Sequence, residues 1–203
     1  MNKSRQFAED KLVIATHNKG KLREITALFD KFEFQVLSAS SLGLAEPKET
    51  EKSFRGNALL KAHAAADATK LPALADDSGL VVAALNGEPG IYSARWAAPD
   101  GDFDMAMLRV HNELNQVNAN DMSANFVCAL ALVWPDGYEV CVEGRVAGQV
   151  TWPPRGKFGF GYDAIFQPTG YSQSFGEMDP ADKHRINHRA DAFAQLIAKV
   201  FAT

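Results

Sequence analysis

The chain is poor in cysteine, in long apolar runs and in excess positive charge, and each shortage removes a class of protein. Only Cys128 and Cys141 occur in 203 residues. With no C-x-x-C and no neighbouring histidine pair, neither a disulfide framework nor a zinc centre is signalled, and both cysteines read as reduced residues on strands. The apolar run 127–134, nine residues long with Phe126 ahead of it, falls far short of the about 20 that a spanning helix needs. Residues 1–11 are polar and carry no apolar signal core, so we expect a soluble, cytoplasmic protein with no membrane partner. The 21 basic residues are outnumbered by 25 acidic ones, a net charge of -4. That balance argues against nucleic acid as a partner and favours a local basic pocket for a small anion. Repeats, low-complexity tracts and linkers are also missing, so residues 1–203 read as one domain, large enough to bury a full core.

What is present begins with a strand that runs into a phosphate-holding turn. Leu12, Val13, Ile14 and Ala15 form a near-continuous apolar run, as in a strand buried on both faces, and Leu22, Ile25, Leu28 and Phe29 recur beyond it at helical spacing. Between them, Thr16-His17-Asn18-Lys19-Gly20-Lys21 gathers backbone N–H groups, the positive end of a helix dipole and two lysines. It is not a Walker A loop, because the leading glycine is missing and Leu22 stands where a Ser or Thr would meet magnesium. Taken alone, the turn is explained equally well by two solvated lysines at an ordinary strand-to-helix junction.

Further along, the pattern predicts a strand over 34–38, a loop over 39–50, and an alanine-rich helix over 53–70 with Ser53 as N-cap and Pro72 beyond its end. Residues 73–85 read as two buried strand segments broken by a polar Asp76-Asp77-Ser78-Gly79 turn. A helix over 102–116 follows, then a hairpin of 123–134 and 138–150 about Pro135-Asp136-Gly137. A glycine-rich loop over 153–163, a short strand over 164–166 and a helix running to Phe201 complete the chain. Strands that alternate with helices early and form hairpins later predict a mixed sheet of α/β class.

Three clusters can carry chemistry. Asp76 and Asp77 end an apolar strand, where charge is costly unless it meets a cation or several donors. Adjacent strand residues point to opposite faces, so both carboxylates reach one site only if the strand has turned; an Asx-type turn is the plain alternative. Glu46, Glu49 and Glu51 in the preceding loop offer a further oxygen for magnesium, which takes one or two carboxylates and completes its shell with water and phosphate. Second, Gly156, Gly159 and Gly161 are interleaved with Lys157, Phe158, Phe160 and Tyr162, giving close backbone approach and aromatic faces for a base. The third cluster is the cationic run Lys183-His184-Arg185 followed by His188-Arg189. Together these supply what a nucleoside triphosphate needs.

With these residues in view, five stretches in register resemble the inosine/xanthosine triphosphate pyrophosphatases: 16–21, 74–80, 87–96, 159–163 and 183–189. The resemblance implies an elongated mixed β-sheet flanked by helices, with two lobes and a central substrate cleft. It implies hydrolysis of ITP, dITP and XTP to the monophosphate and pyrophosphate, with Mg2+, by a homodimer. On the same ground Thr16, His17, Asn18, Lys19, Gly20 and Lys21 hold the triphosphate, and Asp77 is the catalytic base and a metal ligand. Glu49 resembles the second metal carboxylate, and Ser78 contacts the substrate. Phe160 stacks on the base, while Gly161, Tyr162 and Asp163 shape sugar and base contacts. Lys183, His188 and Arg189 match Lys-x-x-x-x-His-Arg, whose His and Arg read the 6-oxo edge of the purine. His17 stands where Gly is frequent, Asn187 where Ser usually precedes His-Arg, and Ala164 where Pro often follows Tyr-Asp; these bear on loop geometry and substrate preference. A Maf-type pyrophosphatase, which lacks the Lys-x-x-x-x-His-Arg reader, and a non-catalytic nucleotide-binding module are the alternatives.

Overall fold

A computed structural model describes residues 5–97 and 101–201. Its six strands form one sheet in the order β2-β1-β3-β4-β5-β6. They are β1 Lys11–Ile14, β2 Gln35–Ser38, β3 Ala73–Val82, β4 Ser123–Val133, β5 Glu139–Val150 and β6 Phe166–Pro168. The helices are α1 Lys19–Leu28, α2 Phe54–Thr69, α3 Ser93–Trp96, α4 Phe103–Gln116, α5 Pro180–Ile186 and α6 His188–Val200. β1 pairs in parallel with β2, Ile14 opposite Ser38, and with β3, Val13 opposite Ala73. β5 pairs antiparallel with β6, Val150 opposite Phe166. The mixed α/β sheet is the architecture that the alternating elements predict.

The chain falls into two compact units, one made of Met1–Asp77, Cys128–Gly144 and Arg189–Thr203, the other of Ser78–Val127 and Arg145–His188. In the first unit the two-residue period of the strands sorts side chains by size. Leu12 and Ile14 of β1, Leu74 of β3, and Leu130 and Leu132 of β4 join Ile25, Phe29, Trp134 and Leu196 in one apolar cluster. Their neighbours Val13, Ala15, Ala73, Ala75, Ala129 and Ala131 face the other way, onto Ala58, Ala62, Ala65 and Ala66 of α2. Small residues on both sides let α2 lie close to the sheet. The helix starts at Ser53, whose Oγ accepts the Gly56 N–H, and ends at Lys70 in the left-handed region, φ 56°.

In the second unit Leu80 and Val82 of β3 pack with Met107, Val110 and Leu114 of α4 and with Phe126, Phe166 and Phe175. Gly79 is required by a close approach here. A Cβ at that position would lie 2.4 Å from the Gly90 carbonyl oxygen and 2.4 Å from Ser93 Oγ. That hydroxyl accepts the Leu80 N–H at 3.0 Å and donates to the Gly90 carbonyl at 2.7 Å. Gly79→Ala is therefore expected to cost about 1–3 kcal/mol, as overpacking does, read as a lowered midpoint in thermal melting.

Three elements differ from the sequence expectation. β3 is one continuous strand through Asp76-Asp77-Ser78-Gly79, because partners elsewhere in the fold neutralise the carboxylates and no turn is needed to solvate them. Residues 163–165, part of the expected strand 164–166, form a 3-10 turn and β6 begins at Phe166. Ahead of the expected C-terminal helix, residues 180–186 form the additional short helix α5, and Asn187, extended at φ -77°, ψ 165°, separates it from α6. No helix among the described residues is long and apolar enough to cross a membrane.

Candidate functional site

In the first unit the strand-to-helix turn is built by Asn18. Its side-chain oxygen accepts the Lys21 N–H at 3.0 Å, capping α1, while its own N–H donates to Thr16 Oγ1 at 3.2 Å. His17, Asn18 and Lys19 are exposed and Lys21 is half-buried. The turn thus shows solvent a helix N-terminus and the exposed Lys19, while Lys21 turns inward to Asp76 Oδ1 at 2.5 Å. His17 Nε2 lies 2.8 Å from the Leu44 carbonyl oxygen, tying the turn to the loop that leads to Glu49.

The two adjacent aspartates point to opposite faces of β3, as the strand period demands. Asp76 shares the face of Leu74: its Oδ2 accepts from Arg189 Nε at 2.8 Å and from the Cys128 thiol at 3.0 Å, and Arg189 also pairs with Glu24. Asp76 and Arg189 are 1% and 2% exposed, Glu24 5%, so these are charges out of water that persist because each is paired. Burial alone would raise the Asp76 pKa, but the Arg189 and Lys21 charges outweigh it and hold the carboxyl well below its usual range. Burial and the Asp76 charge push the Cys128 thiol far up, which keeps it a neutral donor.

Asp77 faces α2. Its Oδ1 accepts from Lys61 Nζ at 2.9 Å, and the same Nζ donates to Glu49 Oε1 at 2.7 Å. Burial pushes the Asp77 carboxyl up to about 6, the Glu49 charge adding to the rise and Lys61 and Lys21 opposing it. For Glu49, desolvation is overcome by Lys61, and its pKa falls. Lys61 is likewise held charged against burial by both carboxylates. Asp77 Oδ2 is buried with no hydrogen-bond partner among the described residues. Among the described residues, Glu24, Glu49, Asp76 and Asp77 thus pair with Lys21, Lys61 and Arg189. Hard oxygen donors on Glu49 and Asp77 and an orphaned carboxylate oxygen fit a divalent cation completed by water and phosphate. Among the described residues no group of three or more His, Cys, Asp or Glu makes a ready cage.

The second unit holds Ser78, the glycine loop, Lys183 and His188. Asp163 organises the loop: its Oδ2 accepts the Phe160 N–H at 2.8 Å and Lys183 Nζ at 2.6 Å. Gly159, φ +77°, passes so close that a Cβ would lie 2.1 Å from that oxygen. Lys183 Nζ sits 4.9 Å from the Phe160 ring centroid and 5.6 Å from that of Phe175. The His188 ring stacks on Phe126, centroids 4.9 Å apart and planes at 12°. Tyr162 is buried and donates its hydroxyl to the Ser93 carbonyl at 2.9 Å, while burial raises its pKa. Phe160 and the adjacent Gly161 are half-buried, and residues 156–159 before them are exposed.

The residues singled out in the sequence therefore fall into two sets. Thr16 to Lys21, Glu49, Asp77 and Arg189 belong to the first unit, and Ser78, Phe160 to Asp163, Lys183 and His188 to the second. Lys61 and Glu24 escaped the sequence reading, as did the pairing of Asp76 with Lys21, Arg189 and Cys128. A signal for Lys61 exists: it lies three residues after Ala58 and four before Ala65, on the helix face that the alanines bury.

A family model described as the Ham1 family matches residues 12–199. The dITP/XTP pyrophosphatase of Rhodospirillum centenum is 57% identical over 203 residues, covering 100% of both chains. That of Caulobacter vibrioides is 56% identical, over 94% of this chain and 98% of its own. Among solved structures, a HAM1 protein from Coxiella burnetii superposes with a TM-score of 0.87 at 36% identity, covering 94% of this chain and 98% of that one. With the motifs, the fold and full-length relatives in agreement, this chain belongs to the Ham1 family.

Proposed function

We propose that the chain is a magnesium-dependent nucleoside triphosphate pyrophosphohydrolase. It converts the non-canonical purine nucleotides ITP, dITP and XTP to the monophosphate and pyrophosphate, removing them from the nucleotide pool. The observation that carries this reading is the buried array in which Lys61 joins Asp77 to Glu49 while Lys21 and Arg189 hold Asp76. It occurs in a chain whose full-length relatives are named dITP/XTP pyrophosphatases.

In this reading a water attacks the α-phosphorus in line, the bond to the bridging oxygen breaks, and pyrophosphate leaves with the electron pair. Asp77 takes the proton of the attacking water. A carboxyl titrating at about 6 is ionised at neutral pH yet more basic than an ordinary aspartate, as suits a general base. Magnesium, held by Asp77 and Glu49 together with phosphate and water oxygens, would supply charge neutralisation at the phosphates. The exposed helix N-terminus and Lys19 grip the phosphates, and Lys21 links that turn to Asp76. Phe160 offers the purine a face, and Lys183 and His188 offer donors to its 6-oxo edge. A 6-amino group meets those donors with another donor, and the unpaired group costs about 1–3 kcal/mol. Arg189, whose Nε and one terminal nitrogen are engaged by Asp76 and Glu24, acts first as the residue that positions Asp76. The motif resemblance supports a homodimer, to be checked by sedimentation equilibrium.

The reading is tested by pyrophosphate release from ITP, XTP, GTP and ATP with and without magnesium. ITP and XTP are expected to lead ATP by roughly 10- to 100-fold in kcat/KM, and only with the metal present. Tight ITP binding without turnover would instead indicate a binding module, and preference for pyrimidine nucleotides a Maf-type enzyme. With the base at about 6, kcat/KM falls with acid below that pH, by about tenfold per unit. Saturating magnesium moves this limb to lower pH, since a cation beside the carboxylate favours its ionised form.

A further inference from the structure

Glu49, the second metal carboxylate in the reading above, sits on a segment with few anchors. Before it the chain folds back on itself, the Leu44 N–H donating to the Ala39 carbonyl at 3.0 Å. After it the Glu51 N–H donates to Asn57 Oδ1 of α2 at 3.1 Å. Between these points Ala45, Glu46, Pro47 and Lys48 make no backbone hydrogen bond among the described residues. What fastens the near end is a side chain of the phosphate turn: His17 Nε2, 27 residues earlier than Leu44, meets its carbonyl oxygen at 2.8 Å. A carbonyl only accepts, so this ring nitrogen carries a proton and spends it on the loop. Nδ1 lies 3.9 Å from Glu46 Oε2, an ion pair only when the ring is charged. His17, Leu44, Glu46 and Pro47 line one cavity of about 220 Å³ together with Lys61, the residue that joins Glu49 to Asp77.

We infer that His17 is a positioning residue: it latches the loop that presents Glu49 to the turn that grips the phosphates, so that the metal carboxylate and the phosphate site keep one arrangement before substrate arrives. The inference rests on the metal-dependent triphosphate reading of the site. In this role the ring works on Leu44 rather than on the triphosphate, and the grip is left to the backbone of the turn and Lys19. A segment without backbone ties of its own samples many conformations, and ordering it is a cost of binding. Each fastening made in advance reduces what Glu49 must lose when a cation binds. Pro47, with its fixed φ, shortens the free stretch between the latch and Glu49 further.

Two substitutions at this exposed turn position test the latch. His17→Ala removes the ring donor, and His17→Gln returns an N–H at similar reach. Trypsin cleavage after Lys48, Mn2+ binding by electron paramagnetic resonance, calorimetric binding of inorganic tripolyphosphate without metal, and ITP turnover are measured for wild type and both variants. Lys48 is exposed and directly precedes Glu49, so its cleavage reports opening of this segment. His17→Ala is expected to be cut there roughly 3- to 10-fold faster and to bind Mn2+ more weakly by a similar factor, the worth of one hydrogen bond. His17→Gln should recover most of both. Metal-free tripolyphosphate binding should stay within about twofold of wild type in both variants. A structural role alone predicts a lowered melting midpoint with Mn2+ affinity per folded molecule unchanged. Cleavage after Lys48 at the wild-type rate in His17→Ala overturns the inference, and so does faster cleavage with Mn2+ affinity unchanged. Weakened tripolyphosphate binding at an unchanged cleavage rate would make His17 a phosphate contact instead. Wild-type protein that binds no Mn2+ and does not turn over ITP defeats the enzymatic reading, and the cleavage rates still decide whether His17 holds the loop.

Discussion

Asp77→Asn is expected to reduce turnover of ITP by at least roughly 100-fold, the lower bound for loss of a positioned general base, and to leave the fold as stable as before or more so. The two halves of this expectation have one cause. Asp77 is 5% exposed, and burial raises its carboxyl to about 6 from an ordinary 3.8. A carboxyl with a raised folded-state pKa binds its proton more tightly in the native than in the unfolded protein. Its contribution to stability is thus full below the unfolded value and is lost as pH rises through about 6. At pH values above that window the ionised Asp77 is a cost, which the neutral, isosteric amide removes. Lys61 keeps Glu49 as counter-ion. Differential scanning calorimetry should show the variant gaining on wild type as the buffer moves from acid to alkaline across that window. A variant that melts lower than wild type under alkaline conditions would mean that the Asp77–Lys61 pair is net stabilising, and retained turnover would remove Asp77 from the chemistry.

Arg189→Met carries the largest expected effect on stability. The guanidinium is fully enclosed and satisfies Asp76 through Nε and Glu24 through a terminal nitrogen. Removing it takes the shared cation from two buried carboxylates, leaving Asp76 with Lys21 and the Cys128 thiol, and breaking a buried ion pair by deleting one partner costs about 3–5 kcal/mol. For a chain of this length that lowers the melting midpoint by roughly 6–20 °C. Arg189→Lys restores the charge but not the fork that reaches both carboxylates, so it should fall between. Adding Asp76→Asn and Glu24→Gln to Arg189→Met should recover part of the loss, because the stranded charges are then gone. The pH dependence has the sign opposite to that of Asp77. Asp76 is held well below the usual carboxylate range, so its contribution is present above that range and is lost as acid protonates it in the folded state. A melting temperature that is indifferent to Arg189→Met would show the ion pairs to be worth no more than apolar packing.

Much of the molecule was legible because it depends on neighbours in sequence. The alanine-rich run with Ser53 ahead of it became α2, and Pro135-Asp136-Gly137 became the turn between β4 and β5, with Trp134 N–H bonded to the Tyr138 carbonyl. The Thr16–Lys21 turn was read correctly as a strand-to-helix junction. Asp76 and Asp77 show where such reading stops. From sequence they resembled a turn because two adjacent charges in an apolar strand have no local partner. Their partners are remote: Arg189 lies 113 residues from Asp76, Cys128 52 residues away, and Lys61 16 from Asp77. The ion pairs of Arg189 were hidden for the same reason, since a motif in a cationic run gives no sign that two buried acids will engage it.

By itself the sequence determined where helices and strands begin, which faces are apolar, and which residue types could handle phosphate, metal and purine, because propensity, periodicity and capping act over a few residues. Only the tertiary structure decided which charges are spent on each other and which remain for a ligand. The strand period sends Asp76 to Lys21, Arg189 and Cys128 and Asp77 to Lys61. Small alanines allow α2 close enough for that lysine to reach. The cost of burying a charge is settled by groups that folding brings from far along the chain, so the roles of these carboxylates follow from packing rather than from the motif that contains them.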